Sequence, residues 1–137
     1  RFTWARIFQP YGPMQDSSRL VPFLINAIAK GEVPSLKYPH NMNDWITTRD
    51  IASAIAWAIN HDLKTEINVG TGVGYQNIEV LKMLQRLMGK GDPINNVVVS
   101  GKGLQNMSAV TLESSLFASG WRPEDDLVSG LQWVLNS

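Results

Sequence analysis

The fold is decided by the stretch Arg6-Ile7-Phe8-Gln9-Pro10-Tyr11-Gly12-Pro13 together with two segments that follow it. These segments are Arg19-Leu20-Val21-Pro22 and Asn43-Asp44-Trp45-Ile46. Residues 2–8 are rich in β-branched and aromatic types, and this composition predicts a strand. We expect residues 9–13 to end that strand, because two prolines and a glycine do not continue a hydrogen-bonded ladder.

Strand and helix patterns alternate along the rest of the chain, and this order favours an α/β fold. Helices are predicted from Ser17 or Ser18 to Lys30, from Thr48 or Asp50 to Asn60, from Asn77 to Met88, from Thr111 to Ser119, and from Asp125 or Asp126 to Leu135. Short strands are predicted at residues 35–38, 44–48, 66–69 and 97–99. Residues 51–59 leave almost no polar face, so the second helix is expected to be buried between other elements.

Composition limits the classes of protein to which the chain can belong. With 137 residues, 44% of them hydrophobic, residues 1–137 are expected to form a single globular domain. Twelve basic and twelve acidic residues cancel, which argues against a nucleic-acid partner bound through phosphate neutralisation. No run of about 18 apolar residues is present, so no membrane span is expected. The absence of cysteine excludes disulfides and thiol catalysis and is compatible with a cytoplasmic location.

The glycine cluster at residues 70–74 follows one predicted strand and precedes a helix, as a dinucleotide-binding loop would. Its spacing does not match the fingerprint, because Tyr75 stands where the third glycine is required. The acidic residue Asp92 lies in a turn before the next strand rather than at its end. The cluster is therefore interpreted as a tight strand-to-helix turn, with a sheet edge near a ligand as the alternative.

Two histidines and two arginines stand apart from the motifs: the histidines do not indicate a metal site, and each arginine allows two interpretations. His40 and His61 have no second ligand nearby in sequence, so no metal is expected. Arg6 is either paired with a carboxylate such as Asp44 or Asp50, or available at a site. Arg19 at a helix start is either a solvated surface residue or a cation that meets an anion such as a diphosphate.

Five segments, taken in order, resemble the second half of the extended short-chain dehydrogenase/reductases, the NAD-dependent epimerase/dehydratase family. Residues 6–13 are similar to its Arg-x-x-Asn-x-Tyr-Gly-Pro segment, and residues 19–22 to its (Arg/Lys)-Leu-Ile-Pro. Residues 43–50 resemble Arg-Asp-(Trp/Tyr)-Ile-x-Val-x-Asp. The strand end at residues 67–70 and the Gly-Trp-Arg-Pro at residues 120–123 complete the match.

The resemblance implies the C-terminal portion of a Rossmann-type enzyme: the last parallel strands plus a small mixed α/β substrate-binding lobe. The intact protein would bind NAD or NADP and a nucleotide-diphosphate sugar. Phe8 would lie beside the nicotinamide, and Gln9 would stand where the family places an Asn that contacts the diphosphate. Arg19 and Leu36, the latter in the loop 34–38, would flank the nucleotide. Asn43 occupies the position of a phosphate-binding Arg and is counted with the substrate-binding residues.

The catalytic Tyr-x-x-x-Lys of that family is absent. Tyr11, Tyr38 and Tyr75 are followed four residues later by Gln15, Met42 and Glu79. Without the Lys, nothing lowers the tyrosine pKa for proton transfer. The chain is therefore assigned no catalytic residue and is expected to be inactive alone, to bind no cofactor alone, and to lack an N-terminal dinucleotide-binding half.

Three hypotheses follow. The first is the substrate-binding C-terminal portion of a nucleotide-sugar epimerase, dehydratase or reductase, whose partner is the missing Rossmann half. Its opening strand would then expose an apolar edge and favour self-association. The second is a non-catalytic ligand-binding or protein-interaction module derived from that family. The third is an unrelated α/β domain with accidental motif matches.

Overall fold

The computed structural model describes residues 2–63, 66–90, 98–99, 108–111 and 114–137. Its elements alternate between strand and helix, in accord with the predicted α/β class. In chain order they are β1 (Ala5–Ile7), β2 (Gln9–Tyr11), α1 (Leu20–Lys30), β3 (Ser35–Leu36), β4 (Met42–Thr47), α2 (Thr48–Asn60), β5 (Ile67–Val69), β6 (Gly74–Gln76), α3 (Asn77–Leu87), β7 (Val98–Val99), β8 (Ser108–Ala109), α4 (Ser115–Ala118) and α5 (Leu127–Leu135).

The chain divides into two compact units. Unit 1 comprises residues 1–12, 43–74 and 109–137, and unit 2 comprises residues 13–42 and 75–108. The prediction of a single domain over residues 1–137 stays a prediction.

Unit 1 contains two parallel strand pairs. Strand β1 pairs with β5 in the register Arg6 opposite Asn68, and β2 pairs with β4 in the register Gln9 opposite Trp45. Its core combines side chains from the sheet, from α2 and from the C-terminal segment, namely Ile46, Ala54, Ala58, Ile67, Val69, Leu116 and Trp121. Parallel pairing of this kind is typical of α/β proteins.

The predicted break after residue 8 is wrong. The chain remains extended through Tyr11, but it changes partner at Phe8, whose N–H donates to the Val69 carbonyl at 3.1 Å. Proline fits here because its fixed φ is close to that of an extended strand.

Unit 2 packs α1 against α3 and pairs β3 with β7 in parallel. Leu24 of α1 and Leu84 of α3 are both fully buried. The N-cap of helix α1 lies one to two residues after the predicted serines. Arg19 is the N-cap without a side-chain hydrogen bond, and Gly31 ends the helix in the left-handed conformation at φ 71°. The terminating glycine was predicted correctly, and the serine cap was not.

Helix α2 forms at the predicted residues but is not buried on all sides. Ala54 and Ala58 face the core, whereas Ile59 is 72% exposed and Ile55 is 41% exposed. The prediction of a helix enclosed by other elements is therefore wrong for the described part of the chain. At the other end of the chain, the predicted helix start at Thr111 is also wrong. Helix α4 begins at Ser115, with Ser114 as its cap.

The remaining sequence-based elements agree with the structure where it describes them. Helix α3 begins at Asn77 as predicted and ends at Leu87, one residue earlier than predicted. Helix α5 is capped by Asp126, one of the two predicted candidates, whose side chain accepts from the Ser129 N–H at 2.7 Å. Val97 of the predicted strand 97–99 lies outside the described residues. None of the helices in the described ranges combines the length and the apolar run that a bilayer crossing requires.

Candidate functional site

A cleft of about 260 Å³ lies in unit 1 at the point where the first strand changes partner. It is lined by Arg6, Ile7, Phe8, Gln9, Asn43 and Ala109. Three of the predicted site residues, Phe8, Gln9 and Asn43, therefore line the same cleft. The lining combines one aromatic ring, two side-chain amides and one guanidinium, which suits a ligand with both polar and apolar faces.

The change of partner at Phe8 explains why consecutive side chains reach the cleft. Residues 5–7 are tied to β5, and residues 9–11 are tied to β4. Phe8 and Gln9 lie at the junction between the two pairings and are only partly buried. The cleft is thus built on backbone that is hydrogen-bonded on both sides of the junction.

Asn43 is held in place by its neighbour Asp44, whose side chain is fully buried. Oδ1 of Asp44 accepts hydrogen bonds from the Thr71 N–H at 2.7 Å and from the Thr71 hydroxyl at 2.6 Å. Oδ2 accepts from the Gly72 N–H at 2.9 Å and from the Thr111 N–H at 3.0 Å. Four donors compensate the cost of burying one carboxylate and join β4 to two loops of unit 1.

The glycine cluster is a tight turn as predicted, but it leads from β5 into strand β6 and not directly into a helix, so the strand-to-helix part of the prediction is wrong. Gly72 has a φ of 81°, and Gly70 lies so close to Thr111 and Asp44 that a Cβ there would overlap both side chains. The N–H groups of Thr71 and Gly72 already donate to Asp44. A dinucleotide pyrophosphate needs such N–H groups unoccupied. The described residues of this turn therefore do not fit the pyrophosphate of NAD or NADP.

Arg6 does not pair with Asp44 or Asp50, as one sequence-based interpretation had it. Its guanidinium donates to the Asn68 side-chain oxygen at 3.0 Å and lies 3.4 Å from a Glu66 carboxylate oxygen. Asp44 is occupied by its four donors, and Asp50 accepts the N–H groups of Glu124 and Asp125 at 3.0 and 3.1 Å. Both carboxylates accept from other donors, and Arg6 instead pairs with Asn68 and Glu66.

The other two predicted substrate-binding residues, Arg19 and Leu36, lie in unit 2. Arg19 is exposed at the N-cap of α1, and its backbone N–H donates to the Asp16 carbonyl at 2.9 Å. Leu36 is only 2% exposed. The substrate-binding roles of both residues stay predictions.

Tyr11 is buried and is not a candidate for proton transfer. Burial, reinforced by the nearby Asp125 carboxylate, raises the pKa of its hydroxyl well above the ordinary value. A phenol in such a site remains protonated at neutral pH and is a poor general base. Tyr11 instead packs edge to face on Trp45, with ring centroids 6.2 Å apart.

Sequence reasoning missed a polar network that joins α5 to the start of α2. Arg49 forms a two-point ion pair with Asp125, in which its Nε lies 2.5 Å from Oδ2, and its guanidinium stacks on the Trp133 ring at 4.6 Å. The Thr47 hydroxyl donates to Asp125 at 2.9 Å. The hydrogen bonds of Arg49 and Thr47 hold the pKa of Asp125 below its usual range. The sequence signal is the acidic pair at residues 125–126, which the sequence analysis interprets only as a helix cap.

Comparison with known proteins identifies the relatives of this chain. A model of the NAD dependent epimerase/dehydratase family matches residues 1–70. The chain is similar to the low-salt glycan biosynthesis protein Agl12 of Haloferax volcanii, with 27% identity over 89% of the chain and 40% of that protein. It is also similar to CDP-abequose synthase of Salmonella typhimurium, with 24% identity over 98% of the chain and 47% of that protein.

Among solved structures, it superposes on a UDP-glucose 4-epimerase of Thermus thermophilus in complex with NAD. The TM-score is 0.79 and the identity is 26%, over 98% of the chain and 45% of the epimerase. The chain thus spans slightly less than half the length of the proteins it matches. Since the family model covers just over half of the chain and the fold agrees, the chain belongs to the NAD-dependent epimerase/dehydratase family of extended short-chain dehydrogenase/reductases.

Proposed function

We propose that the chain is the substrate-binding portion of an NAD(P)-dependent epimerase, dehydratase or reductase that acts on a nucleotide sugar. The observation that carries this proposal is the cleft in which Phe8, Gln9 and Asn43 come together. These three positions were assigned to cofactor and substrate from the motifs alone. The relatives include a CDP-abequose synthase and a UDP-glucose 4-epimerase, which supports a nucleotide sugar as the ligand class.

The chemistry of the cleft suits the sugar side of such a ligand. Side-chain amides both donate and accept, so Gln9 and Asn43 can pair with sugar hydroxyls or with phosphate oxygens. Phe8 offers a planar apolar face for a pyranose or for a nicotinamide ring. In this proposal Gln9 and Asn43 hold and orient the substrate, and Phe8 keeps water from one side of it.

Transfer of a proton and binding of the dinucleotide pyrophosphate are assigned to residues outside this chain. None of its three tyrosines has a lysine four residues later. The glycine turn has its N–H groups committed to Asp44. The chain by itself is therefore proposed to bind substrate without turning it over.

The proposal is tested by calorimetric titration of the purified chain with UDP-glucose, dTDP-glucose, CDP-glucose and the free nucleotides UDP, dTDP and CDP. At least one sugar nucleotide is expected to bind more tightly than its free nucleotide. Gln9→Ala should weaken that binding about tenfold, as expected for loss of one hydrogen bond to a charged or polar group. Gln132→Ala is the matched control, because Gln132 is an exposed glutamine of α5 in the same unit and does not line the cleft.

A gain-of-function variant sharpens the test. Asn43→Arg introduces the guanidinium that the family resemblance places at this position, and it is expected to tighten binding of phosphate-bearing ligands. No heat signal with any of these compounds, or equal losses for Gln9→Ala and Gln132→Ala, would count against the proposal. Binding confined to a protein partner would favour the interaction-module hypothesis instead.

A further inference from the structure

Arg6 is a cleft residue that no step of the proposed function uses. Of the six residues that line the cleft, all of them described by the structure, it carries the only formal charge. Its side chain is 56% exposed, so its charge is accessible from the cleft. A guanidinium in a concave site among neutral side chains is suited to an oxyanion, because it presents up to five N–H donors in one plane.

The protein contacts of Arg6 orient it without saturating it. One N–H donates to Asn68 on the adjacent strand at 3.0 Å, which fixes the plane of the guanidinium. The contact with Glu66 is 3.4 Å long, whereas charge-assisted hydrogen bonds are about 2.7–2.9 Å. Within the described residues these two contacts leave further N–H groups of Arg6 without a protein acceptor.

Glu66 is a competitor that an anion could displace at little cost. Its side chain is 69% exposed, and exposed ion pairs contribute little to stability because water and salt screen them. The two buried carboxylates nearest in sequence to the site, Asp44 and Asp50, are occupied by backbone N–H groups and do not compete for Arg6.

From this geometry we propose that Arg6 is an oxyanion-binding residue of the cleft, which exchanges Glu66 for an anionic group of the ligand. The inference rests on the proposed nucleotide-sugar function and adds a specificity-determining residue to it. Two sources of the anion share the same chemistry. They are the diphosphate of the nucleotide sugar and a carboxylate on an acidic sugar.

The test is titration of the full chain with UDP-glucose, UDP-glucuronic acid and inorganic pyrophosphate. Arg6→Gln should weaken binding about tenfold or more, as expected for loss of a charge-assisted contact. Glu66→Gln should tighten binding up to about fivefold, because it removes the competitor of an exposed pair. Arg86→Gln is the matched control, since it removes the same charge from an exposed position of α3 that does not line the cleft.

The outcomes separate the two sources and the two proposals. If Arg6→Gln weakens the binding of both sugar nucleotides equally, the anion is the diphosphate. If it weakens only the binding of UDP-glucuronic acid, the anion is the sugar carboxylate. Binding of pyrophosphate that depends on Arg6, without binding of either sugar nucleotide, overturns the proposed function and leaves Arg6 as an oxyanion site. Sugar-nucleotide binding that Arg6→Gln affects no more than Arg86→Gln overturns this inference alone. Absence of all binding overturns both.

Discussion

The hydroxyl of Tyr11 lies against the Cα of Gly130, and no side chain fits between them. A Cβ built on Gly130 would overlap the phenol oxygen and would also approach the Thr47 methyl group to 2.6 Å. Strand β2 therefore packs on helix α5 through a position that requires glycine for reasons of space. This contact fixes the strand whose first residue, Gln9, lines the cleft.

Gly130→Ala is expected to lower the free energy of unfolding by about 1–3 kcal/mol, the usual cost of overpacking a buried site. Alanine has a higher helix propensity than glycine, so a loss of stability would have to come from the steric overlap of the added Cβ. The measurement is urea denaturation followed by circular dichroism. Val128→Ala, at an exposed position of the same helix, is the control and should change stability by less than about 0.5 kcal/mol. Equal stability of both variants would contradict the packing argument.

Asp44 is a second residue whose replacement should be costly. Asp44→Asn keeps the shape, but in either orientation its amide places an NH₂ group opposite two of the four donors that Asp44 accepts from. We expect a loss of about 2–4 kcal/mol, because buried N–H groups lose a charged partner. Chemical denaturation of Asp44→Asn is compared with that of Glu124→Gln, which removes the charge of an exposed carboxylate in the same unit. If the two variants unfold at the same urea concentration, the network is not what stabilises β4.

The elements that repeat a hydrophobic period were predictable from sequence, and the long-range contacts were not. Helix α3 begins at the predicted residue because its apolar stripe and its turn glycines are local signals. The hydrogen bonds of Asp44 join residues 27 and 67 positions away along the chain, and no local pattern encodes them. The same limit explains why the carboxylates named for one of the two interpretations of Arg6, Asp44 and Asp50, are not its partners.

The part of the candidate site that lies in recognisable sequence motifs was predictable. Phe8, Gln9 and Asn43 line one cleft although 34 positions separate Gln9 from Asn43, because β2 and β4 pair in parallel. Strand β2 was not predicted because it contains Pro10, and a proline ordinarily indicates the end of a strand. For Arg6, the sequence leaves both pairing with a carboxylate and availability at a site open, because it does not show which acidic residues already have partners.

The ion pair between Arg49 and Asp125 predicts a dependence of stability on pH. The pKa of Asp125 is lowered in the folded protein, chiefly by its hydrogen bonds with Arg49. A carboxyl with a lowered folded pKa stabilises the protein above its ordinary unfolded pKa of about 4, and this contribution is lost as the pH falls through the folded value. Asp125→Asn should therefore be clearly less stable than the native chain at pH 7, and the difference should shrink as the pH falls below about 4. A difference that stays constant as the pH is lowered from 7 would assign the effect to packing rather than to charge.

Two threonines of unit 1 provide a matched pair with opposite expectations. The Thr47 hydroxyl donates to Asp125 and accepts from the Asp50 N–H at the start of α2, at 2.9 and 3.2 Å. The Thr111 hydroxyl is buried and has no hydrogen-bond partner in the part of the chain that the structure describes. Valine has the same shape as threonine and replaces the hydroxyl with a methyl group.

Thr47→Val should therefore lower the free energy of unfolding by about 1–2 kcal/mol, because it removes a helix cap and leaves Asp125 with one donor fewer. Thr111→Val should be neutral or stabilising, because no partner is lost and a buried polar group becomes apolar. The backbone N–H of residue 111 would still donate to Asp44. Both variants are measured by urea denaturation under the same conditions. If Thr111→Val lowers the free energy of unfolding as much as Thr47→Val does, the Thr111 hydroxyl has a partner and its burial does not destabilise the fold.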